Sequence, residues 1–295
     1  MGLQGRDSSD VELASDVISG IGENPFWDVE QGKVVWVDIA TQEVRRLEPQ
    51  SRRYEAWHMG QHVGAVVPRA SGGMVVALGD GFGGLDPVDG SVRLFAPLDL
   101  DSAVLQLNDC QCDSRGRLWA GTYGESAQAA CLYRLDPDYS LTVMLEGVTA
   151  SNGIGWSPDD RLMYYIDSRE QRVDVFDFDL SRGEITNRRP LVNVPRGDGV
   201  PDGLCVDAEG LIWVAIFGGA ALHRYTPAGD LDRMVAVPAL NVTSCAFGGP
   251  DLSSLYITSA AASMSPTQLE SYPRSGGLFV GRPGVRGQPP KAYAG

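Results

Sequence analysis

Histidine and cysteine are scarce in this chain, and neither is spaced for the chemistry it most often serves. The three histidines, His58, His62 and His223, show no H-E-x-x-H pattern, which excludes a zinc-protease helix. The five cysteines, Cys110, Cys112, Cys131, Cys205 and Cys245, are odd in number and contain no C-x-x-C. That argues against a zinc site or a disulfide scaffold and for free thiols in a reducing compartment. No run of about 18 apolar residues occurs, so no membrane-spanning helix is expected. Residues 1–10 are polar (Gln4, Arg6, Asp7, Ser8) and lack the apolar stretch of a secretory signal. The expected location is the cytoplasm. There is no G-x-S-x-G and no P-loop. The nearest approach to a nucleotide loop is Gly79–Gly84 (GDGFGG), and it runs into strand and turn residues, Leu85–Gly90, where a helix would be needed.

Positive charge is also short. Lys and Arg total 24 against 38 Asp and Glu, a formal net charge of −14. A chain so acidic repels phosphate backbones and anionic lipid, so neither nucleic acid nor a membrane surface is an expected partner. A cation is compatible with that charge.

What the sequence has in plenty is apolar residues, at 43%, and turn formers, with Gly 36 and Pro 18. They are organised as a repeat. An Asp/Gly turn followed by a short apolar or aromatic strand recurs in DVEQGKVVWVD (Asp28–Asp38), DSRGRLWAG (Asp113–Gly121), DDRLMYYID (Asp159–Asp167), DAEGLIWVA (Asp207–Ala215) and PDLSSLYIT (Pro250–Thr258), with a weaker copy at Ala70–Ala77. The strand centres Trp36, Val76, Trp119, Tyr165, Trp213 and Tyr256 lie 40, 43, 46, 48 and 43 residues apart. That is the length of a four-stranded propeller blade. The fold class expected is therefore all-β, a six-bladed β-propeller with four-stranded antiparallel blades around a central tunnel. It forms a single domain over 11–281, with flexible tails at 1–10 and 282–295. Residues near Val11–Ser19 are expected to complete the sheet begun near Asn241, because a closed ring leaves no exposed sheet edge.

In such a fold the innermost strands line the tunnel, so polar residues at equivalent points of different repeats meet at its mouth. Glu23 (GENPFW), Asn108 and Asp109 (LNDCQCD), Asn152 (SNGIGW), Asp202 (PDGLCVD) and Thr243 with Ser244 (TSCAFGGPD) occupy such points. Carboxylates and amide oxygens converging there suit a hard divalent cation. The competing reading is local: Asn-Gly and Asp-Gly are common turn formers. His62, just before the apolar run Val63–Val67, is a candidate substrate contact.

These motifs, in order over roughly residues 18–280, resemble those of the SMP-30/gluconolactonase (regucalcin-like) family. The resemblance implies a six-bladed propeller with one axial divalent metal ion, Ca2+ or else Zn2+, Mn2+, Mg2+ or Fe2+. It also implies hydrolysis of a small lactone or ester, first of all a sugar lactone. By motif, Glu23, Asn152 and Asp202 would be metal ligands, Asp202 also the general base, and Asn108 a contact to metal or substrate. The sequence departs from the family pattern at Gln106, where many members have Arg, at Cys110, where a Gly is usual, and at Ser126. Glu125 is retained in the segment GTYGES. Gln106, Asn108, Glu125 and His62 make up the expected substrate shell. The departures leave room for an organophosphate or aryl-ester hydrolase, or a non-catalytic binding propeller, on the same scaffold.

Overall fold

The second strands of the blades (Lys33–Asp38, Met74–Leu78, Leu118–Gly124, Leu162–Asp167, Ile212–Phe217 and Ser254–Ala260) read as continuous apolar runs. Continuous runs mark strands buried on both faces. In the computed structural model, which describes residues 11–101, 104–124 and 128–295, this is where they lie. Six four-stranded antiparallel sheets are arranged as blades around one axis. Successive side chains of one second strand pack into different neighbouring blades. Val34 and Trp36 join a cluster with Tyr256 and Leu278, whereas Val35 and Val37 join one with Val63 and Val76. Among the described residues six such apolar clusters form, one at each blade-to-blade interface.

The recurring Asp of the sequence repeat has a structural task. Asp207 Oδ1 accepts from the backbone N–H groups of Glu209 and Leu211, closing the turn before the second strand. Its Oδ2 accepts from the Trp213 indole at 2.9 Å and from Arg224. Asp113 repeats the arrangement with Arg117 and Trp119. In the fourth blade Ser157 takes over the role, accepting from Arg161 and Leu162. One side chain thus fixes both a turn and the ring of the strand that follows.

The innermost strands are Gly22–Asp28, Val63–Pro68, Leu105–Cys112, Ser151–Trp156, Val200–Val206 and Asn241–Gly248, and each touches the next around a closed ring. The sixth blade is completed by the N-terminal strand Glu12–Ser15, which pairs with Leu278–Gly281, as expected from the need to protect edges. One short helix, Pro266–Ser271, interrupts that blade. It opens on Ser265 with a capping box to Gln268, the S-x-x-Q signal that its sequence carries.

Residues 282–295, expected to be a flexible tail, pack against the propeller instead. The segment crosses one end of the tunnel. Gln288 donates to the carbonyls of Trp156 and Val206, Lys291 pairs with Asp160, and Tyr293 is fully buried against the second and third blades. The Tyr293 hydroxyl donates to the Asp136 carbonyl at 2.7 Å. Because the segment lacks strand periodicity, its anchoring depends on contacts with five different blades and leaves little trace in sequence.

Tyr293→Ala should therefore destabilise the protein by about 3–5 kcal/mol, the usual cost of emptying a buried aromatic site. Urea unfolding measures it. A free tail would leave the unfolding free energy within about 0.5 kcal/mol of the parent.

Candidate functional site

Each innermost strand carries one extra residue relative to its partner, and the irregularity always falls at the same level. It lies between Glu23 and Phe26, Val63 and Ala65, Leu107 and Cys110, Ser151 and Ile154, Pro201 and Leu204, and Val242 and Ser244. A β-bulge re-aims side chains and bends the strand. Here six bulges turn their residues towards the axis at one level. The Asn152-Gly153 and Asp202-Gly203 pairs are not turns but parts of these bulges. At Gly153 a Cβ would lie 2.9 Å from the Asp202 carbonyl oxygen, and at Gly203 it would lie 2.2 Å from Ser244 Oγ. Only glycine lets neighbouring inner strands approach so closely.

The bulges bring Glu23, Asn108, Asn152 and Asp202 to the wall of one cavity of about 600 Å3. Gln106, His62 and Thr243 line it too. Glu125 and Ser126 lie outside the described residues. The wall also includes residues that the sequence motifs did not single out: Tyr123, Phe217, Arg169 and Arg196. Tyr123 and Phe217 lie at the ends of second strands, and Arg169 and Arg196 lie in short helical turns between strands, where no repeat position marks them.

Hydrogen bonding fixes how the amides point. The Ser168 hydroxyl donates to the Pro201 carbonyl, so it must accept from Asn152 Nδ2, at 2.7 Å. That turns Asn152 Oδ1 away from Ser168. Asn108 spends both amide hydrogens, on the Ser151 carbonyl at 2.8 Å and on Asn152 Oδ1 at 2.9 Å, leaving its own oxygen to act as an acceptor. His62 Nε2 bonds the Leu107 carbonyl at 2.7 Å, so that nitrogen carries the proton and Nδ1 is an acceptor. Burial lowers the His62 pKa, which keeps the ring neutral.

Asp109 parts company with its neighbour Asn108. Its carboxylate accepts from Asn24 Nδ2 at 2.8 Å, the same amide donates to the Cys110 carbonyl, and Asn24 Oδ1 accepts from the Val66 N–H. Asn24 holds this position in the left-handed backbone region, with φ of 46°. This buried knot ties the first three blades together below the mouth, and sequence reading missed Asn24's part in it. Asparagine's tolerance of positive φ was the one available signal.

Glu23, Asp109 and Asp202 are all nearly buried, and among the described residues no ion pair neutralises any of them. Burial pushes the Glu23 carboxyl well above the usual carboxylate range, and the negative charges of Asp202 and Asp109 push it further. Burial and then Asp109 do the same to Asp202. Asp109 rises to about 6 through burial, held back by the Asn24 amide. Uncompensated buried charge is costly. A divalent cation among Glu23, Asp202 and the amide oxygens of Asn152 and Asn108 would remove that cost, and an all-oxygen donor set of this kind fits a hard cation. Among the described residues no three His, Cys, Asp or Glu side chains form a metal cage by themselves. The amides are part of the set.

Comparison with known proteins identifies a family. A profile of the family described as SMP-30/Gluconolactonase/LRE-like region matches residues 21–261. Regucalcin of Xenopus laevis is 38% identical over 284 residues, covering 93% of this chain and 95% of its own length. A Bacillus subtilis (strain 168) protein named "Putative sugar lactone lactonase YvrE" is 36% identical over 291 residues, covering 97% of this chain and 99% of its own length. The crystal structure of a calcium-binding protein, regucalcin from Agrobacterium tumefaciens str. C58, superposes with a TM-score of 0.92 at 26% identity, covering 97% of each chain.

The raised Asp109 pKa has a sign that can be measured. A group whose folded pKa exceeds its unfolded value of about 3.9 adds stability that is present at low pH and lost as pH rises through the folded value. Chelator-treated wild type should therefore lose stability relative to Asp109→Asn between about pH 4 and 6, by up to about 1.4 kcal/mol per pH unit. Urea unfolding at a series of pH values reads the difference. Parallel curves for the two proteins would mean that Asp109 is not held in a low-dielectric site.

Proposed function

Because the chain belongs to the SMP-30/gluconolactonase/LRE-like family, we propose that it is a divalent-metal-dependent hydrolase of small lactones, sugar lactones first among them. The observation that carries this reading is the oxygen-only set at the cavity floor: two buried carboxylates with raised proton affinity, beside an amide whose oxygen is fixed by the Ser168 relay. The names of the relatives, a sugar lactone lactonase and a calcium-binding regucalcin, support the substrate class and the metal.

Glu23, Asn152 and Asp202 would hold the ion, with Asn108 beside them. When bound, the ion supplies Lewis-acid polarisation of the lactone carbonyl and stabilisation of the oxyanion. The remaining chemistry falls to the chain. Asp202 takes a proton from the attacking water, whose oxygen forms the new bond to the acyl carbon. The ring C–O bond then breaks, and the ring oxygen leaves as an alcohol carrying the proton returned by Asp202. Water and lactone give one hydroxy acid, with no covalent intermediate needed for an ester this activated. His62 Nδ1 accepts from a substrate hydroxyl, and Gln106 offers the ring both a donor and an acceptor.

Metal-stripped protein should be inactive on glucono-1,5-lactone and regain turnover with one or more of Ca2+, Mg2+, Mn2+, Zn2+ and Fe2+. A cation at about 100 times its Kd should also raise the unfolding free energy by about 2.7 kcal/mol. Asp202→Asn should lower kcat by at least about a hundredfold. Stabilisation by metal without turnover of any lactone would point to a binding protein, and turnover of phenyl acetate alone to an aryl-ester hydrolase.

A further inference from the structure

The cavity carries charge of opposite sign at its two ends. Glu23 and Asp202 are the acidic side chains described in its wall, and both rise from the innermost strands at the floor. Two arginines lie at the mouth. Arg169 sits in the single helical turn Ser168–Glu170, directly after the Ser168 that orients Asn152. Arg196 opens the turn Arg196–Asp198, four residues before the strand that carries Asp202. Both are exposed to the cavity, and among the described residues neither guanidinium has a carboxylate partner.

Other described arginines, Arg52, Arg93 and Arg115 among them, also lack a carboxylate, but Arg169 and Arg196 are the two that line this cavity. Glu170, beside Arg169 in sequence, is already held by Arg172 at 2.6 Å and by Arg188 at 2.8 Å. Elsewhere Arg45, Arg117 and Arg224 are each locked to a buried Asp. In a chain of net charge −14, two unneutralised cations therefore converge on one wall of one cavity. A volume of about 600 Å3 has room for a sugar-sized ring with a charged arm, within the size range of small-molecule sites.

We propose that the natural substrate is an anionic lactone, a ring bearing a carboxylate or phosphate arm. Arg169 and Arg196 hold that arm at the mouth while the acyl carbon faces Asn152 and Asp202. This rests on the lactone-hydrolase reading and adds the charge of the substrate to it. Guanidinium groups suit such an arm because their planar N–H forks match carboxylate and phosphate oxygens. They also offset the repulsion that so acidic a protein exerts on an incoming anion.

The test compares glucono-1,5-lactone with its 6-phosphate and with glucaro-1,4-lactone, whose arm is a carboxylate, using metal-loaded enzyme. At least one anionic lactone should exceed the neutral one in kcat/KM by about fivefold or more, mainly through KM, and its identity distinguishes phosphate from carboxylate. The anionic-to-neutral ratio should fall about fivefold to tenfold in Arg169→Gln and in Arg196→Gln, as expected for one charge-assisted contact. Arg→Lys variants should keep part of the preference, and 0.5 M NaCl should weaken it. An unchanged ratio in both Gln variants, or equal losses on all three lactones, would overturn the proposal. Isothermal titration with glucose 6-phosphate, glucarate and glucose, none of which can be opened as a lactone, supplies an independent arm. Tighter binding of an anion that is lost in the double Gln variant, without turnover of any lactone, keeps the anion site and removes the hydrolase reading. Turnover without anion preference in either arm does the reverse.

Discussion

Six strands that meet around one axis leave very little room at the centre. Each inner strand can aim side chains there only where its backbone departs from regular pairing, and in every blade that departure is a bulge at the same level. The close approach of neighbouring strands, which only glycine permits at Gly153 and Gly203, sets the width of the ring. From this crowding follow the burial of Glu23 and Asp202, their mutual repulsion and the raised proton affinity of their carboxyls. The same crowding makes the site an oxygen-lined socket that a cation can complete.

Around this socket the structure divides its tasks by depth. The mouth presents mixed side chains: apolar Phe217, neutral His62 and Gln106, and the cations Arg169 and Arg196. The level of the bulges holds the oxygen donors. Below it, Asn24 joins Asp109, Cys110 and Val66 and so clamps three blades. The far end is crossed by residues 286–295. The order also explains why the carboxylates stay buried although the mouth is open.

Much of this was legible in the residues, for identifiable reasons. The repeat was visible because one Asp must both close a turn and accept an indole N–H, as Asp113 and Asp207 do, and because a strand buried on two faces must be apolar throughout. Glu23, Asn152 and Asp202 were visible because they recur at one phase of that repeat. The turn reading of Asn152-Gly153 and Asp202-Gly203 failed since local propensity carries no information about a neighbouring strand pressed against the same glycine. Asn24 escaped notice because its partners are 42 to 86 residues away in sequence.

The sequence by itself determined the blade count, the all-β architecture and the phase at which polar groups enter the tunnel. Those depend on periodicity and local hydrogen bonding, which a linear pattern encodes. Tertiary structure alone decided which way each amide points, that Asp109 turns to Asn24 while Asn108 turns to Asn152, and that the last residues form part of the body. It also decided that Arg169 and Arg196 share a wall with Asp202. Each of these is a meeting between blades, set by how the ring closes, and ring closure brings together residues that no fixed spacing relates.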